Sequence, residues 1–275
     1  IDADTRRVGD APLLMQTRRQ DAQNRRVVTG DHHQLVVGQD VRVCIDLFAG
    51  AGRARIRGTS RIVETPAMRV LRIADPFERY IFCELDGEKL EALKKRVAVA
   101  NADVDVHFVQ GDSNSNVRDI LSLVPEANPR CKVLTFCFVD PYQLRNLRFE
   151  TIRELANIFV DFLVLIPTGM DPGRNERTYN RPDDETVETF TGRTNWRGSR
   201  RDLPTLPFGD FVALQFGEIM KELQYLVGGL AETHEMRNTK KRSPIYRLAV
   251  FSRHNLGPKF WDACRKYTSD QGNLF

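Results

Sequence analysis

Five short runs of apolar, β-branched and aromatic residues constrain the fold of this chain more than any other feature. They lie at residues 41–48, 80–85, 104–109, 133–139 and 160–166. Such continuous runs are typical of strands buried on both faces of a parallel sheet, because a strand with one wet face would alternate apolar and polar residues. The sequence therefore predicts a buried parallel sheet.

Helical patterns lie between these runs, at residues 66–74, 88–100, 117–123 and 149–158. This alternation indicates repeated βαβ units, which build a doubly wound sheet with helices on both faces. The last part of the chain differs, with a helix, two strand-like runs and a short helix at 208–227, 231–237, 245–252 and 260–267. We predict an α/β, Rossmann-like fold whose mostly parallel sheet ends in an antiparallel C-terminal strand.

The chain also divides by composition. Residues 1–40 contain no Phe, Tyr or Trp and show no lasting period, so we expect a weakly ordered or irregular N-terminal arm there. Residues 41–275 are expected to form one Rossmann-like domain. Within it, residues 169–207 are rich in Gly, Pro, Arg and Asp, and we expect a long functional or mobile loop.

Composition excludes several classes of protein. The 275 residues carry 41 basic and 37 acidic side chains, a mild excess that permits an anionic partner without requiring one. No apolar run approaches the roughly 20 residues of a membrane-spanning helix, so we expect no membrane segment. The five cysteines lack zinc spacing, which favours free thiols in the cytoplasm and no metal. The nucleophile-elbow and P-loop motifs of hydrolases and NTPases are absent.

The first candidate site is the segment IDLFAGAG, which ends the first strand. It contains Asp46, Ala49, Gly50 and Gly52 in a loop that we expect to open toward a helix. Glycines in such a loop let a ligand approach the backbone closely. The alternative is an ordinary turn between a strand and a helix.

The second candidate is Glu84, at the end of the second strand. An acid in this place accepts hydrogen bonds from ribose hydroxyls in nucleotide-type sites, usually about 20 residues after the glycines. Here the distance from Gly52 is 84 − 52 = 32 residues. The extra residues read as a small hairpin that carries Arg53, Arg55, Arg57 and Arg61. That hairpin either contacts an anion or is a solvated charged surface.

Two further acids follow the next strands. Asp112 could accept a hydrogen bond from an adenine amino group, or it could form an Asx turn. The triplet Asp140, Pro141 and Tyr142 could hold a planar amine between a carboxylate and a ring, or it could simply end the strand. Placement favours function, because acids follow four successive strands where open α/β sheets bind ligands.

This pattern resembles a class I S-adenosylmethionine-dependent methyltransferase. More narrowly, residues 43–64, 82–93, 138–144, 165–175 and 246–261 look like the three-Cys-motif partner protein (TcmP) family. The resemblance implies a Rossmann-like class I methyltransferase fold, S-adenosylmethionine as cofactor, and a three-cysteine-motif protein encoded nearby as partner.

The same resemblance implies a role for each candidate. Asp46 would balance the ammonium group of the cofactor, Glu84 would hold its ribose and Asp112 its adenine. Asp140 and Tyr142 would orient the methyl acceptor, expected to be a nucleic-acid base amine. Methyltransferases of such amines commonly carry two prolines in this motif, and this chain carries only Pro141. The alternative function is therefore a non-catalytic, methyltransferase-like binding module that acts as partner of the three-cysteine protein.

Clusters of arginine indicate where a substrate could bind. Arg53, Arg55 and Arg57 flank the cofactor loop, and Arg197 adjoins Trp196 in the expected long loop. The remaining cluster members are Arg61, Arg193, Arg200, Arg201, Arg237, Lys240, Lys241 and Arg242. Arginine beside an aromatic ring suits phosphate contact plus base stacking, so nucleic acid is the expected partner. The alternative is a solvated surface of mixed charge.

Overall fold

A computed structural model describes residues 40–56, 58–100, 104–169, 171–226, 230–238 and 242–270. The expected N-terminal arm, apart from Asp40, lies outside these residues, as do Arg57, Lys240 and Lys241. The described residues belong to one compact unit. None of their helices is long and apolar enough to cross a membrane.

Seven strands form the main sheet in the order β5-β4-β1-β6-β7-β9-β8, within the described part of the chain. They are β1 (Val41–Asp46), β4 (Arg79–Glu84), β5 (Asp105–Gln110), β6 (Val133–Val139), β7 (Val160–Ile166), β8 (His234–Arg237) and β9 (Pro244–Phe251). The pairs from β5 through β7 are parallel, whereas β9 runs antiparallel to β7 and to β8. This arrangement confirms the predicted Rossmann-like, class I methyltransferase-type fold.

A second, two-stranded sheet pairs β2 (Arg53–Arg55) with β3 (Ile62–Glu64). The helices are α1 (Pro66–Val70), α2 (Gly87–Ala100), α3 (Val117–Ser122), α4 (Phe149–Leu155), α5 (Pro172–Tyr179), α6 (Thr186–Thr191), α7 (Trp196–Asp202), α8 (Phe208–Glu222) and α9 (Leu256–Asp270). Helices α1 and α2 pack on one face of the sheet, where Met68 and Leu93 contact the same cluster as Tyr80 and Phe82. On the other face, Phe216 of α8 packs on Phe251 of β9.

The segment 169–207 is not the long loop expected from its composition, because it contains the three helices α5, α6 and α7. Tyr179, Phe190 and Trp196 are fully buried and anchor one helix each. Arg174 and Arg177 are exposed on α5, whereas Asp171, directly before that helix, is buried. Composition alone could not show this, since the anchors pack on residues far along the chain.

Candidate functional site

The site lies at the point where the order of the strands in the sheet reverses. The strands β4 and β5 lie on one side of β1, and the later strands β6 and β7 lie on its other side. The carboxyl ends of β1 and β6 therefore bound a crevice, the place where open α/β sheets bind ligands. Asp46 is the last residue of β1, and Asp140 directly follows β6.

Glu84 shares the face of the sheet that Asp46 and Asp140 occupy. In the sheet register, Asp46 pairs with Phe82 on one side and with Phe138 on the other. Side chains two residues apart on a strand point to the same face, which places Glu84 and Asp140 on the face of Asp46. Three carboxylates thus meet at the switch point, as their positions after successive strands predicted.

Burial raises the pKa of two acids of this group, Asp46 and Asp140. Asp46 is 3% exposed, and burial raises the pKa of its carboxyl to about 7, with Asp140 and Glu84 adding repulsion. A hydrogen bond from the Phe48 amide to Asp46 Oδ1, at 3.0 Å, opposes that shift. Desolvation also raises the pKa of Asp140, to about 6. A cation bound between these groups would relieve the repulsion.

The glycine loop curls over the end of β4. The Ala49 amide donates to the Cys83 carbonyl at 2.9 Å, and the Gly50 amide donates to Glu84 Oε2 at 2.8 Å. Gly50 has a φ of 64° and open space where a Cβ would stand, so a ligand can approach its backbone. Gly52 has a different task. A Cβ there would lie 2.8 Å from both Leu93 and Met68, so this glycine permits close packing on the core.

The loop does not open directly into a helix, which corrects that expectation. It leads into the predicted hairpin β2–β3. The Thr65 amide then donates a hydrogen bond to the Gly52 carbonyl at 3.0 Å, so the chain comes back to the glycine loop before α1 begins. Arg53, Arg55 and Arg61 are exposed on this hairpin.

Asp112 forms an Asx turn, which was the alternative to its predicted contact with adenine. Its Oδ1 accepts hydrogen bonds from the Asn114 amide at 3.1 Å and from Asn114 Nδ2 at 2.8 Å. Asn114 Oδ1 accepts in turn from the Arg148 amide and from Thr151 Oγ1, both at 2.8 Å. The turn after β5 is therefore fastened to the start of α4. Contact of Asp112 with adenine stays a prediction.

The turn after β6 is held by a buried acid that the sequence did not single out. Pro141 is buried and Tyr142 is 71% exposed. Asp171, which is 2% exposed, accepts hydrogen bonds from the Leu144 amide at 2.7 Å and from the Tyr179 hydroxyl at 2.6 Å. The only sequence signal was an Asp before the Pro that begins α5.

Tyr246 is a second residue that the sequence did not single out. Leu163 pairs with Phe138 and Leu165 with Leu248, so the alternation of β9 places Tyr246 on the face of Asp140. Burial first, and then the charge of Asp140, raise the pKa of the Tyr246 phenol. The phenol therefore stays a hydrogen-bond donor beside the acids.

The structure contradicts the expected stacking role of Trp196. Its side chain is 0% exposed and packs on the rings of Phe208 and Phe211, at centroid distances of 5.9 and 6.3 Å. Arg197 lies over the Trp196 ring and donates to three backbone carbonyls, so it braces the helical segment. Three other described cluster members form ion pairs: Arg193 with Glu222, Arg200 with Glu176 and Arg237 with Glu235. Neither Trp196 nor Arg197 is free to meet a nucleic acid.

A cleft of about 870 Å³ opens beside Tyr142. Its walls come from the end of β7, the first turns of α5 and α8, and the strands β8 and β9. Across the described ranges, no group of three or more His, Cys, Asp and Glu side chains could hold a metal ion.

The sequence of the chain matches no protein-family model and no curated protein. Several solved structures are similar. The Bacillus cereus O-methyltransferase in complex with SAH is 10% identical, with a TM-score of 0.42 over 77% of this chain and 74% of that one. Pyrococcus horikoshii TYW2 in complex with MeSAdo is 14% identical, with a TM-score of 0.37 over 80% and 60%. A conserved hypothetical protein from Streptococcus pyogenes is 11% identical, with a TM-score of 0.39 over 78% and 88%. Scores this low transfer no function, and the fold assignment rests on the strand order itself.

Proposed function

We propose that this protein is an S-adenosylmethionine-dependent methyltransferase. The observation that carries the proposal is the group of three carboxylates, Asp46, Glu84 and Asp140, at the switch point of the sheet. Their repulsion suits a cationic sulfonium ligand better than the pyrophosphate of a dinucleotide, which would add negative charge. The backbone of Gly50 is open to a ligand beside them.

Each residue has a distinct part in holding the cofactor. Glu84 would accept hydrogen bonds from the ribose hydroxyls while it keeps the Gly50 amide in place. Asp46 would balance the ammonium group, and Asp112 would face the adenine amino group. When bound, S-adenosylmethionine supplies an electrophilic methyl group and leaves as S-adenosylhomocysteine.

Asp140 and Tyr142 would position the acceptor amine. The acceptor nitrogen would gain the methyl group, and the electron pair of the broken carbon–sulfur bond would stay on sulfur. Asp140 orients the N–H group and receives the proton that the methylated nitrogen loses. Most of the rate would come from alignment of nitrogen, methyl and sulfur.

Calorimetry with S-adenosylmethionine tests the proposal. Glu84→Ala should weaken binding about 10- to 100-fold, because hydrogen bonds to a charged group contribute about 1.5–3 kcal/mol. Glu88→Ala is the matched control, since Glu88 is an exposed acid in the first turn of α2. Absence of binding by the wild type, or equal binding by the Glu84→Ala variant, would count against the function.

The acceptor that we propose is a base amine of a nucleic acid. The exposed arginines Arg53, Arg55 and Arg61 support this, because they stand on the hairpin that follows the glycine loop and have no ion-pair partner in the described part of the chain. Trp196 and Arg197 do not belong to this surface.

Removing the hairpin charges should weaken RNA binding. Arg53→Ala combined with Arg55→Ala should reduce the slope of log affinity against log salt by about 0.7 for each phosphate of a single strand that these arginines neutralise. Arg130→Ala is the control, because Arg130 is exposed in the turn before β6, at the amino-terminal end of the parallel strands and away from the site. Fluorescence anisotropy over a salt series would measure the slope, and equal slopes for all three proteins would rule out this surface.

The competing function is a non-catalytic binding module for a three-cysteine-motif protein. The single Pro141 before the exposed Tyr142 favours it. A labelled-cofactor screen of RNA, DNA and protein fractions, with and without that neighbour, separates the two functions. Cofactor binding without transfer in every fraction, together with co-purification of the neighbour, would favour the module.

A further inference from the structure

The cleft beside Tyr142 is lined by none of the residues that we propose to hold the cofactor. Its walls include Thr168 and Gly169 from the end of β7, Arg174 from α5 and Gly209 from α8. Tyr142, the exposed residue of the turn after β6, stands on its border. The cleft is therefore next to the place proposed for the acceptor amine.

Thr168 lines this cleft and carries a buried polar atom that is not used within the protein. The residue is 4% exposed, and its Oγ1 has no hydrogen-bond partner. A buried hydroxyl without a partner is costly and uncommon in proteins. A Cβ at Gly209 would lie 2.2 Å from the Thr168 carbonyl oxygen, so only glycine lets the first turn of α8 approach this closely. Thr168 and that first turn are thus packed together and both line the cleft.

Helix α8 has 15 residues, and its N-terminus lacks a side-chain cap, since Pro207 stands at the capping position. The first amides of a helix have no partner within it, and the helix dipole makes this end electropositive. Phe208, Gly209 and Asp210 supply these amides at the cleft wall. Such a terminus favours an anion.

Among the charged residues that line the cleft, one arginine has no ion-pair partner within the described part of the chain. The acids of the cleft are each engaged by an arginine, in the pairs Glu176 with Arg200, Asp210 with Arg247 and Glu235 with Arg237. Arg174 is exposed and has no ion-pair partner among the described residues. The neutralised acids do not oppose an anion, and Arg174 attracts one.

We propose that this cleft binds a phosphate group of the methyl acceptor, an inference that rests on the proposed function for the identity of the acceptor. The first-turn amides of α8 and the Thr168 hydroxyl donate to the phosphate oxygens, and Arg174 supplies the opposite charge. The phosphate anchors the acceptor on the side of Tyr142, so that its base lies beside Asp140.

Calorimetry with inorganic phosphate, in chloride buffer and without cofactor, tests the site directly. Wild type should show saturable binding, which Arg174→Ala and Thr168→Val should each weaken about fivefold or more. Arg177→Ala is the matched control, because Arg177 is exposed on the same helix and does not line the cleft. Thermal melts verify that Thr168→Val is folded, and Thr168→Ser should retain binding. No saturable binding, or equal loss in Arg177→Ala, would overturn the site.

Competition tests the link to the acceptor. Inorganic phosphate should displace a short, fluorescein-labelled single-stranded RNA from wild type and not from Arg174→Ala, and should leave S-adenosylmethionine affinity unchanged. Phosphate that binds without displacing RNA would overturn the acceptor assignment and leave a site for free phosphate. Failure of the cofactor titration alone would contradict the methyltransferase function and not the phosphate site.

Discussion

Replacing Asp140 by asparagine should lower the rate of methyl transfer about 100- to 10,000-fold, which is the range for loss of a positioned general base. The amide of asparagine can still accept a hydrogen bond from the acceptor, but it cannot take up the proton. Affinity for S-adenosylmethionine should fall far less than the rate, because Asp46 and Glu84 still hold the cofactor when the charge of Asp140 is removed. Single-turnover transfer of a labelled methyl group, followed beside calorimetry, measures both quantities.

The dependence of the transfer rate on pH shows whether Asp140 accepts a proton or only contacts the acceptor. Desolvation raises the pKa of Asp140 to about 6, so its carboxylate is present above that pH and is lost as the pH falls through it. Transfer by wild type should therefore decline below about pH 6, and the Asp140→Asn variant should lack that limb. Asp46 on β1 and Tyr246 on β9 face Asp140 across the site and couple to this titration.

Asp119→Asn is the control for this experiment, because Asp119 is an exposed acid in the first turn of α3. It should transfer methyl groups at the wild-type rate. Full activity in the Asp140→Asn variant would remove Asp140 from the mechanism, whatever the cofactor titration shows.

Local pattern was sufficient to predict the strands and the acids that follow them. The runs at 41–48 and 80–85 contain most of β1 and β4, since a strand buried on both faces needs a continuous series of apolar residues. Strand order then determines which strand ends meet, so the places of Asp46, Glu84 and Asp140 follow from topology.

The remaining parts of the site depend on contacts between distant segments. From the sequence, Trp196 is expected to be an exposed ring among arginines, but residues of α8 bury it. The neighbouring residues in the sequence do not indicate that packing. Tyr246 reaches the site because β9 pairs with β7, and Thr168 becomes a cleft residue because Gly209 admits α8 beside it. Such pairings between distant segments are invisible to residue spacing.

Loss of the Asp171 carboxylate should destabilise the protein strongly. It is almost fully buried and accepts from the Leu144 amide, the Tyr179 hydroxyl and Asn175 Nδ2 at 2.6–2.8 Å. Asp171→Ala leaves the amide and the hydroxyl without an acceptor in the interior. Unsatisfied buried donors cost about 1–3 kcal/mol each, so we expect a loss of roughly 3 kcal/mol in the free energy of unfolding. Urea unfolding followed by circular dichroism measures it.

The same substitution should impair transfer, because the hydrogen bond to Leu144 fastens the turn that carries Asp140 and Tyr142 to α5. Tyr179→Phe distinguishes the two effects, since it removes a hydroxyl partner of Asp171 and leaves the Leu144 bond in place. This variant should lose about 1–2 kcal/mol of stability and keep nearly wild-type transfer at a temperature where it is folded. Asp183→Ala, at an exposed acid in the same helical segment, should change neither quantity. If Asp171→Ala retained the wild-type rate while losing stability, Asp171 would support the fold and not the geometry of the turn.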